Sequence, residues 1–331
     1  HLEITQKCNA SCPMCDRNEN GGAVNKHIRD NLAELSLQDC QDIFEPQFIK
    51  QLDMMYMCGN LGDPISALES LEVFDYFRSN NDKIWLQMNT NGGARSADWW
   101  RDLAKTIGRM GTVIFSVDGL EETNHLYRQG VHWDIVERNM RAFIEAGGRA
   151  RWDYLIFEHS EKDVERAEKL ATEWGFEKFT KKKTGRFITT SSAPKEQHQA
   201  VNRKGATTTT LAKPKKAEYQ NRALTAQKQI EKKHGDMRSY YDKAHVKCKV
   251  APEGNVYVTA EGLVLPCCWT AGRMYKWWFD DPRQEQIWDF IDGVGGKDSI
   301  NAKLFGFRGA FESGIMEDIK GSWNKHSIAD G

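Results

Sequence analysis

The strongest constraint on this chain is an alternation in its first half, where apolar runs of strand length are separated by segments with an apolar period near 3.6. The strand-length runs are Leu2–Thr5, Met54–Met57, Ile84–Met88, Val113–Val117, Trp152–Phe157 and Lys178–Thr180. Between them, Leu37–Ile49, Ser66–Arg78, Asp98–Ile107, Ile135–Glu145 and Val164–Trp174 have helical apolar spacing, and Gly147-Gly148 ends the fourth. Alternation of this kind implies an α/β fold, with parallel strands and helices packed outside them. Six such units cover about the first 180 residues.

Composition is globular, with 40% hydrophobic and 28% charged residues, so the chain is not of the disordered class. Lys and Arg number 46 against 47 Asp and Glu, a net charge of −1, and no global field draws it to nucleic acid or anionic membrane. No apolar run approaches the roughly 18 residues of a membrane span. The start, His1-Leu2-Glu3-Ile4-Thr5, has neither an initiator Met nor a signal-peptide pattern. It reads as the inside of a strand, which implies residues upstream.

Eight cysteines fall unevenly: Cys8, Cys12 and Cys15 together, Cys40 and Cys58 singly, and Cys248, Cys267 and Cys268 late. A disulfide framework belongs to short secreted chains. Clustered cysteines in a long chain without a secretion signal are expected to be metal ligands in a reducing, cytoplasmic setting. Cys40, inside a helical pattern, and Cys58, at a strand end, read as small core residues.

From Lys181 to Lys249 the composition shifts to 18 Lys/Arg against 5 Asp/Glu, with Thr207–Thr210, Ser191-Ser192 and few large aliphatics. The segment 181–247 reads as a basic, partly flexible linker with one helix near Tyr219–Lys233. The same charge also suits a basic arm for nucleic acid, although no recognisable nucleic-acid module accompanies it. Beyond it, Asn255–Thr259 and Leu263–Leu265 flank Ala260-Glu261-Gly262 as a hairpin signal, bracketed by Cys248 and Cys267-Cys268. Trp277, Trp278 and Trp288 read as packing anchors. The sequence stops at Ala329-Asp330-Gly331, a turn rather than an ending.

Cys8-x3-Cys12-x2-Cys15 is the most informative spacing. Three thiolates on one loop after a strand can hold three irons of a cubane cluster, leaving the fourth open to a substrate or cofactor. Zinc is the alternative, and it would want a fourth protein ligand, for which His27 is the nearest candidate.

With its six β/α units, this loop resembles the radical S-adenosylmethionine (SAM) superfamily. The resemblance extends to Gly59-Asn60-Leu61-Gly62-Asp63-Pro64 after the second strand, Asn89-Thr90-Asn91-Gly92 after the third, Ser116-Val117-Asp118-Gly119 at the fourth, and His125-x2-Arg128-x-Gly130. It implies a partial (β/α)6 TIM-type barrel over 1–180, with a 4Fe–4S cluster on Cys8, Cys12 and Cys15. It further implies SAM held by Gly59, Asn60, Gly62, Asp63, Asn89, Ser116, Asp118 and Arg128. The glycine-opened turn suits the ammonium, a guanidinium the carboxylate, and Asn89 and Ser116 the ribose hydroxyls. Ser, Asn and Asp also serve turns and caps, and Arg128 has Glu121 and Glu122 as alternative partners. Met14 stands where the family carries an aromatic residue beside the adenine, and a polarizable thioether can cover the ring instead.

Cys248-x13-Gly262-x4-Cys267 is similar to the signature of the SPASM and twitch extensions, which carry auxiliary iron–sulfur clusters. The resemblance implies a hairpin-containing iron–sulfur extension over 248–331, with Cys248, Cys267 and Cys268 as ligands. The implied activity is reductive cleavage of SAM to a 5′-deoxyadenosyl radical that abstracts hydrogen from a peptide, protein or small-molecule substrate. A flavodoxin- or ferredoxin-like donor would supply the electron. A radical SAM enzyme for nucleotides or RNA, and a non-catalytic metal-binding protein, remain alternatives.

Overall fold

A computed structural model of the chain describes residues 1–187, 196–243 and 247–323. Ser191-Ser192 of the basic segment and the terminal Ala329-Asp330-Gly331 lie outside the described residues. Five strands form one parallel sheet in sequence order: β1 (Met54–Met57), β2 (Trp85–Thr90), β3 (Gly111–Ser116), β4 (Ala150–Ile156) and β5 (Lys178–Lys183). The helices between them are α1 (Leu37–Ile43), α2 (Pro46–Ile49), α3 (Ser70–Asn80), α4 (Ala97–Ile107), α5 (Asn124–Tyr127), α6 (Trp133–Glu145) and α7 (Val164–Trp174). Residues 111–115 of β3 are all buried, as a strand covered on both faces must be. Trp100, Phe115, Phe143 and Trp152 fill the space between sheet and helices.

Two expected helices differ. Leu37–Ile49 is split, because Pro46 lacks an N–H and disfavours helical geometry at Glu45; α1 ends at Ile43 and Pro46 opens α2. The helix expected from Ser66 starts at Ser70, after a short 3-10 turn over Pro64–Ser66.

The first of the six expected strands is reduced to a bridge. Leu2 pairs in parallel with Met57 on one side and Val258 on the other, and the chain then turns away. The Gln6 N–H bonds the Ala33 carbonyl, and the Leu35 N–H bonds that of Ile4. Leu2 therefore ties the sheet to the late hairpin, β8 (Tyr257–Val258) and β9 (Val264–Leu265), whose turn has Gly262 at φ +89°. A second core of Tyr257, Leu265, Met274, Ile287, Trp288 and Ile315 lies beyond it. Trp288 is the anchor expected there, but Trp278 is 52% exposed and is not.

The basic segment has more structure than a linker needs. Besides a helix at Ala223–His234 it contains an antiparallel hairpin, β6 (Gln197–Val201) with β7 (Thr207–Ala212). Four threonines in a row are β-branched and suit a strand. The hairpin sits against the cysteine loop, with the Val201 N–H on the Asn20 carbonyl at 3.0 Å and Arg203 Nε on Ser11 Oγ at 3.3 Å. Several of its cations are matched by carboxylates, Lys213 by Glu196 at 2.6 Å and Lys215 by Glu158 at 2.5 Å. Among the described residues no helix is long and apolar enough to cross a membrane.

Candidate functional site

The C-terminal ends of the strands surround a cavity of about 370 Å³, lined by the three early cysteines and by the turns after β1, β2 and β3. This is the end at which α/β barrels build their sites. Each thiol meets a different element. Cys8 Sγ is 3.9 Å from Asn91 Nδ2, Cys12 Sγ is 3.9 Å from an Arg128 guanidinium nitrogen, and Cys15 Sγ is 3.9 Å from the Asn60 carbonyl. Burial pushes all three thiols up, Cys12 to about 11, so metal binding there must displace protons. The loop is braced by the Ser11 N–H, which bonds the Gln129 carbonyl at 2.8 Å.

The turn at Gly59–Pro64 approaches the chain so closely that only glycine fits at position 62. A methyl group there would lie 1.8 Å from the Thr5 carbonyl oxygen. Glu3 supports the turn from beneath, taking the Leu61 N–H on Oε1 at 2.6 Å and the Tyr257 hydroxyl on Oε2 at 2.7 Å. Burial pushes this carboxyl up to about 7, against an ordinary 4.5. Between those values the folded chain binds more protons than the unfolded one, so stability is lost as pH rises through that window. The loss should approach roughly 3 kcal/mol above pH 8. Glu3→Gln should shrink the difference between urea midpoints at pH 5 and pH 8, and an undiminished difference would contradict this role.

Asp63 is also buried, and it spends its carboxylate on neutral donors: Thr90 Oγ1 at 2.8 Å, and the backbone and side-chain N–H groups of Asn91, both at 2.7 Å. It lines the cavity, but it clamps the β1 turn to the β2 turn. Gly59, Asn60, Gly62, Met14, Asn89, Ser116 and Arg128 line the same cavity. Asp118 does not line it. It lies behind Arg128 and takes its Nε at 2.6 Å and the Leu155 N–H at 2.7 Å. Burial works against the Arg128 charge, but Asp118 and Cys12 more than offset it and hold the guanidinium above its usual range. Glu121 is not the partner of Arg128, because it is bound to Arg166 at 2.6 Å.

Sequence reasoning did not single out Cys58, Arg17, Tyr127 or Arg186 as residues of this wall, nor Ala10, Asp16 or Asn18. Cys58, at a strand end, reads from sequence as structural rather than ligating. Arg17 follows the third cysteine by two positions, a signal that could have been used. Arg186 lies 172 positions from Met14, whose carbonyl accepts its guanidinium, and nothing local in the sequence points to that contact.

The later cysteines abut the cavity through one link, Asn60 Nδ2 donating to the Cys268 carbonyl at 2.7 Å. Cys267 Sγ is 3.3 Å from Thr270 Oγ1, and Cys248 Sγ accepts the Ala251 N–H at 3.4 Å. Among the described residues no three His, Cys, Asp or Glu side chains converge to hold a single metal ion. Tetrahedral zinc would gather its sulfurs within about 3.8 Å of one another, from bonds of about 2.3 Å. His27, the candidate fourth zinc ligand, contacts the Phe279 carbonyl at 3.0 Å and lines a different cavity.

Two solved structures have the same arrangement of elements. One is anSMEcpe with bound AdoMet and a Cp18Cys peptide, at a TM-score of 0.54 and 14% identity, covering 98% of this chain and 83% of that one. The other is Streptococcus suis SuiB bound to its precursor peptide SuiA, at 0.51 and 14%, covering 82% of this chain. The chain shares the fold of these two structures. It spans 59% of the length of SuiB. No protein-family model and no curated protein matches the sequence.

Proposed function

We propose that the chain is a radical SAM enzyme acting on a peptide or protein side chain. The observation that carries this is the single cavity lined by Cys8, Cys12, Cys15 and the turns at Gly59–Asp63, Asn89–Asn91 and Ser116. The fit to a cluster with SAM is chemical. Three thiols supply soft ligands for iron, the Gly59–Asp63 turn supplies backbone carbonyls for an ammonium, and Arg128 supplies donors for a carboxylate. When bound, the cluster and SAM together supply the reductive cleavage that gives methionine and a hydrogen-abstracting 5′-deoxyadenosyl radical.

The chain's own residues do the rest. Asp118 aims Arg128, Asp63 joins the two turns that carry Gly59 and Asn89, and Glu3 keeps the Gly59–Pro64 turn on the cysteine loop. The β6–β7 hairpin packs on the cysteine loop through Asn20 and Ser11 and braces it from outside. Peptides bound to anSMEcpe and SuiB support a peptide substrate. Pairing of Lys213 and Lys215 with carboxylates argues against a nucleic-acid arm. Formation of 5′-deoxyadenosine by the anaerobically reconstituted, reduced protein tests the proposal; none above background would refute it.

The extension is proposed to hold an auxiliary cluster through Cys248, Cys267 and Cys268 that positions substrate or accepts an electron after hydrogen abstraction, while a flavodoxin- or ferredoxin-like donor supplies the electron for SAM cleavage. A Cys248→Ala, Cys267→Ala variant, checked for folding by circular dichroism, should lose about one cluster's worth of iron and still cleave SAM without substrate. Unchanged iron in the folded variant would remove these cysteines as ligands.

A further inference from the structure

Three guanidiniums line the cavity of the early cysteines, and among the described residues one of them has a carboxylate partner, while Arg203 bonds the same loop at Ser11 without lining the cavity. Arg128 is paired with Asp118 at 2.6 Å, so its charge is already cancelled. Arg17 is 5% exposed, and its donors end on neutral oxygens, Nε on the Gln6 carbonyl at 2.9 Å and a terminal nitrogen on Asn18 Oδ1 at 3.1 Å. Arg186 reaches into the cavity, donates to the Met14 carbonyl and stands 5.8 Å from the centre of the Tyr127 ring. Its direction is fixed on both sides. The Arg186 N–H bonds Thr184 Oγ1 at 3.1 Å, and Phe187 is buried against Phe157 at 6.1 Å. Among the described residues neither Arg17 nor Arg186 has a carboxylate partner; the titratable groups of opposite charge that face Arg17 are the thiols of the cysteine loop, and those that face Arg186 are the Tyr127 hydroxyl and the same thiols.

A guanidinium cannot shed its proton, and holding the buried Arg17 against neutral oxygens is costly unless an anion is near, whereas Arg186 is exposed and brings its charge to the cavity wall. Such an anion is available. A doubly positive cubane core on three thiolates carries one net negative charge, and one-electron reduction adds a second. Two unpaired guanidiniums match the charge of the reduced form, so they favour it over the oxidised one.

We propose that Arg17 and Arg186 are the counter-cations of the three-cysteine cluster and set its reduction potential, a role that Arg128 cannot share because Asp118 occupies it. This rests on the cluster reading above. Both residues act through the cluster's charge and hydrogen-bonded surroundings, which tune potentials at such sites.

The test is a redox titration of the reconstituted full-length chain without SAM, followed by electron paramagnetic resonance of the reduced cluster. Arg186→Gln keeps a donor for the Met14 carbonyl but removes the charge. It should leave iron per chain unchanged and give about tenfold less reduced cluster at a fixed solution potential, a shift of about 59 mV to more negative values. Arg186→Lys restores the charge and should recover most of that loss. Arg17→Gln should shift the potential in the same direction; if it fails to take up iron, the Arg186 pair decides alone. A parent-like potential in Arg186→Gln, or equal shifts in the Gln and Lys variants, would overturn the proposal. An unmutated chain that takes up iron without a cubane signal would instead refute the cluster reading on which it rests.

Discussion

Replacing Cys8, Cys12 and Cys15 together with alanine should abolish SAM cleavage and remove the iron of the first cluster, while the barrel stays folded. The three thiols line one cavity, and each has a different element behind it, Asn91, Arg128 and Asn60. No other cysteine can stand in for all three, since Cys40 is buried inside α1, Cys58 is one further thiol in the cavity wall, and Cys248, Cys267 and Cys268 do not line the cavity. Folding survives because Cys→Ala removes one small atom, at a cost of about 1 kcal/mol per buried site. The readouts are iron per chain, circular dichroism and 5′-deoxyadenosine. A folded triple variant that still makes 5′-deoxyadenosine at the parent rate would remove the cysteine loop from the chemistry.

Asp118→Asn should destabilise the fold by roughly 3–5 kcal/mol, because it strands the Arg128 charge among buried groups. Asp118 is 1% exposed, and its two oxygens are divided between Arg128 and the Leu155 N–H. The same change frees Arg128 from its fixed direction, so SAM affinity should fall together with stability. The control is Arg128→Met alone and in combination. Stability of the double variant should recover toward the parent, since no uncompensated charge remains, while SAM binding should stay lost. Urea unfolding and equilibrium dialysis of SAM measure the two effects separately. If Asp118→Asn matches the parent in stability, the buried pair is not what holds Arg128.

What was legible in the sequence is what depends on neighbours along the chain. Cysteine spacing, the glycine-opened turn and the polar strand ends are local patterns, and the fold brings Cys8, Gly59, Asn89 and Ser116 to one cavity. Pro46 was equally local, yet the apolar period across Leu37–Ile49 hid the break it makes. The threonines at 207–210 have a strand's branching but sit amid lysines, and charge masked the hairpin. Asp118 lies next to the strand end, so spacing alone could not separate a wall residue from one that supports Arg128 behind the wall. Arg186 and Glu3 were out of reach for a different reason. Their roles come from contacts with Met14 and Tyr257, which only the closed sheet and its C-terminal hairpin create.

The central claim is that the three-cysteine cluster keeps one iron open and that this iron takes SAM beside the Gly59–Asp63 turn. Its most direct test is the electron paramagnetic resonance spectrum of the reduced, reconstituted chain before and after saturation with SAM. The account predicts a changed cluster signal, because the amino and carboxylate groups of SAM join the coordination of the open iron. An identical spectrum at saturating SAM, with binding verified by dialysis, would mean a closed metal site and would contradict it.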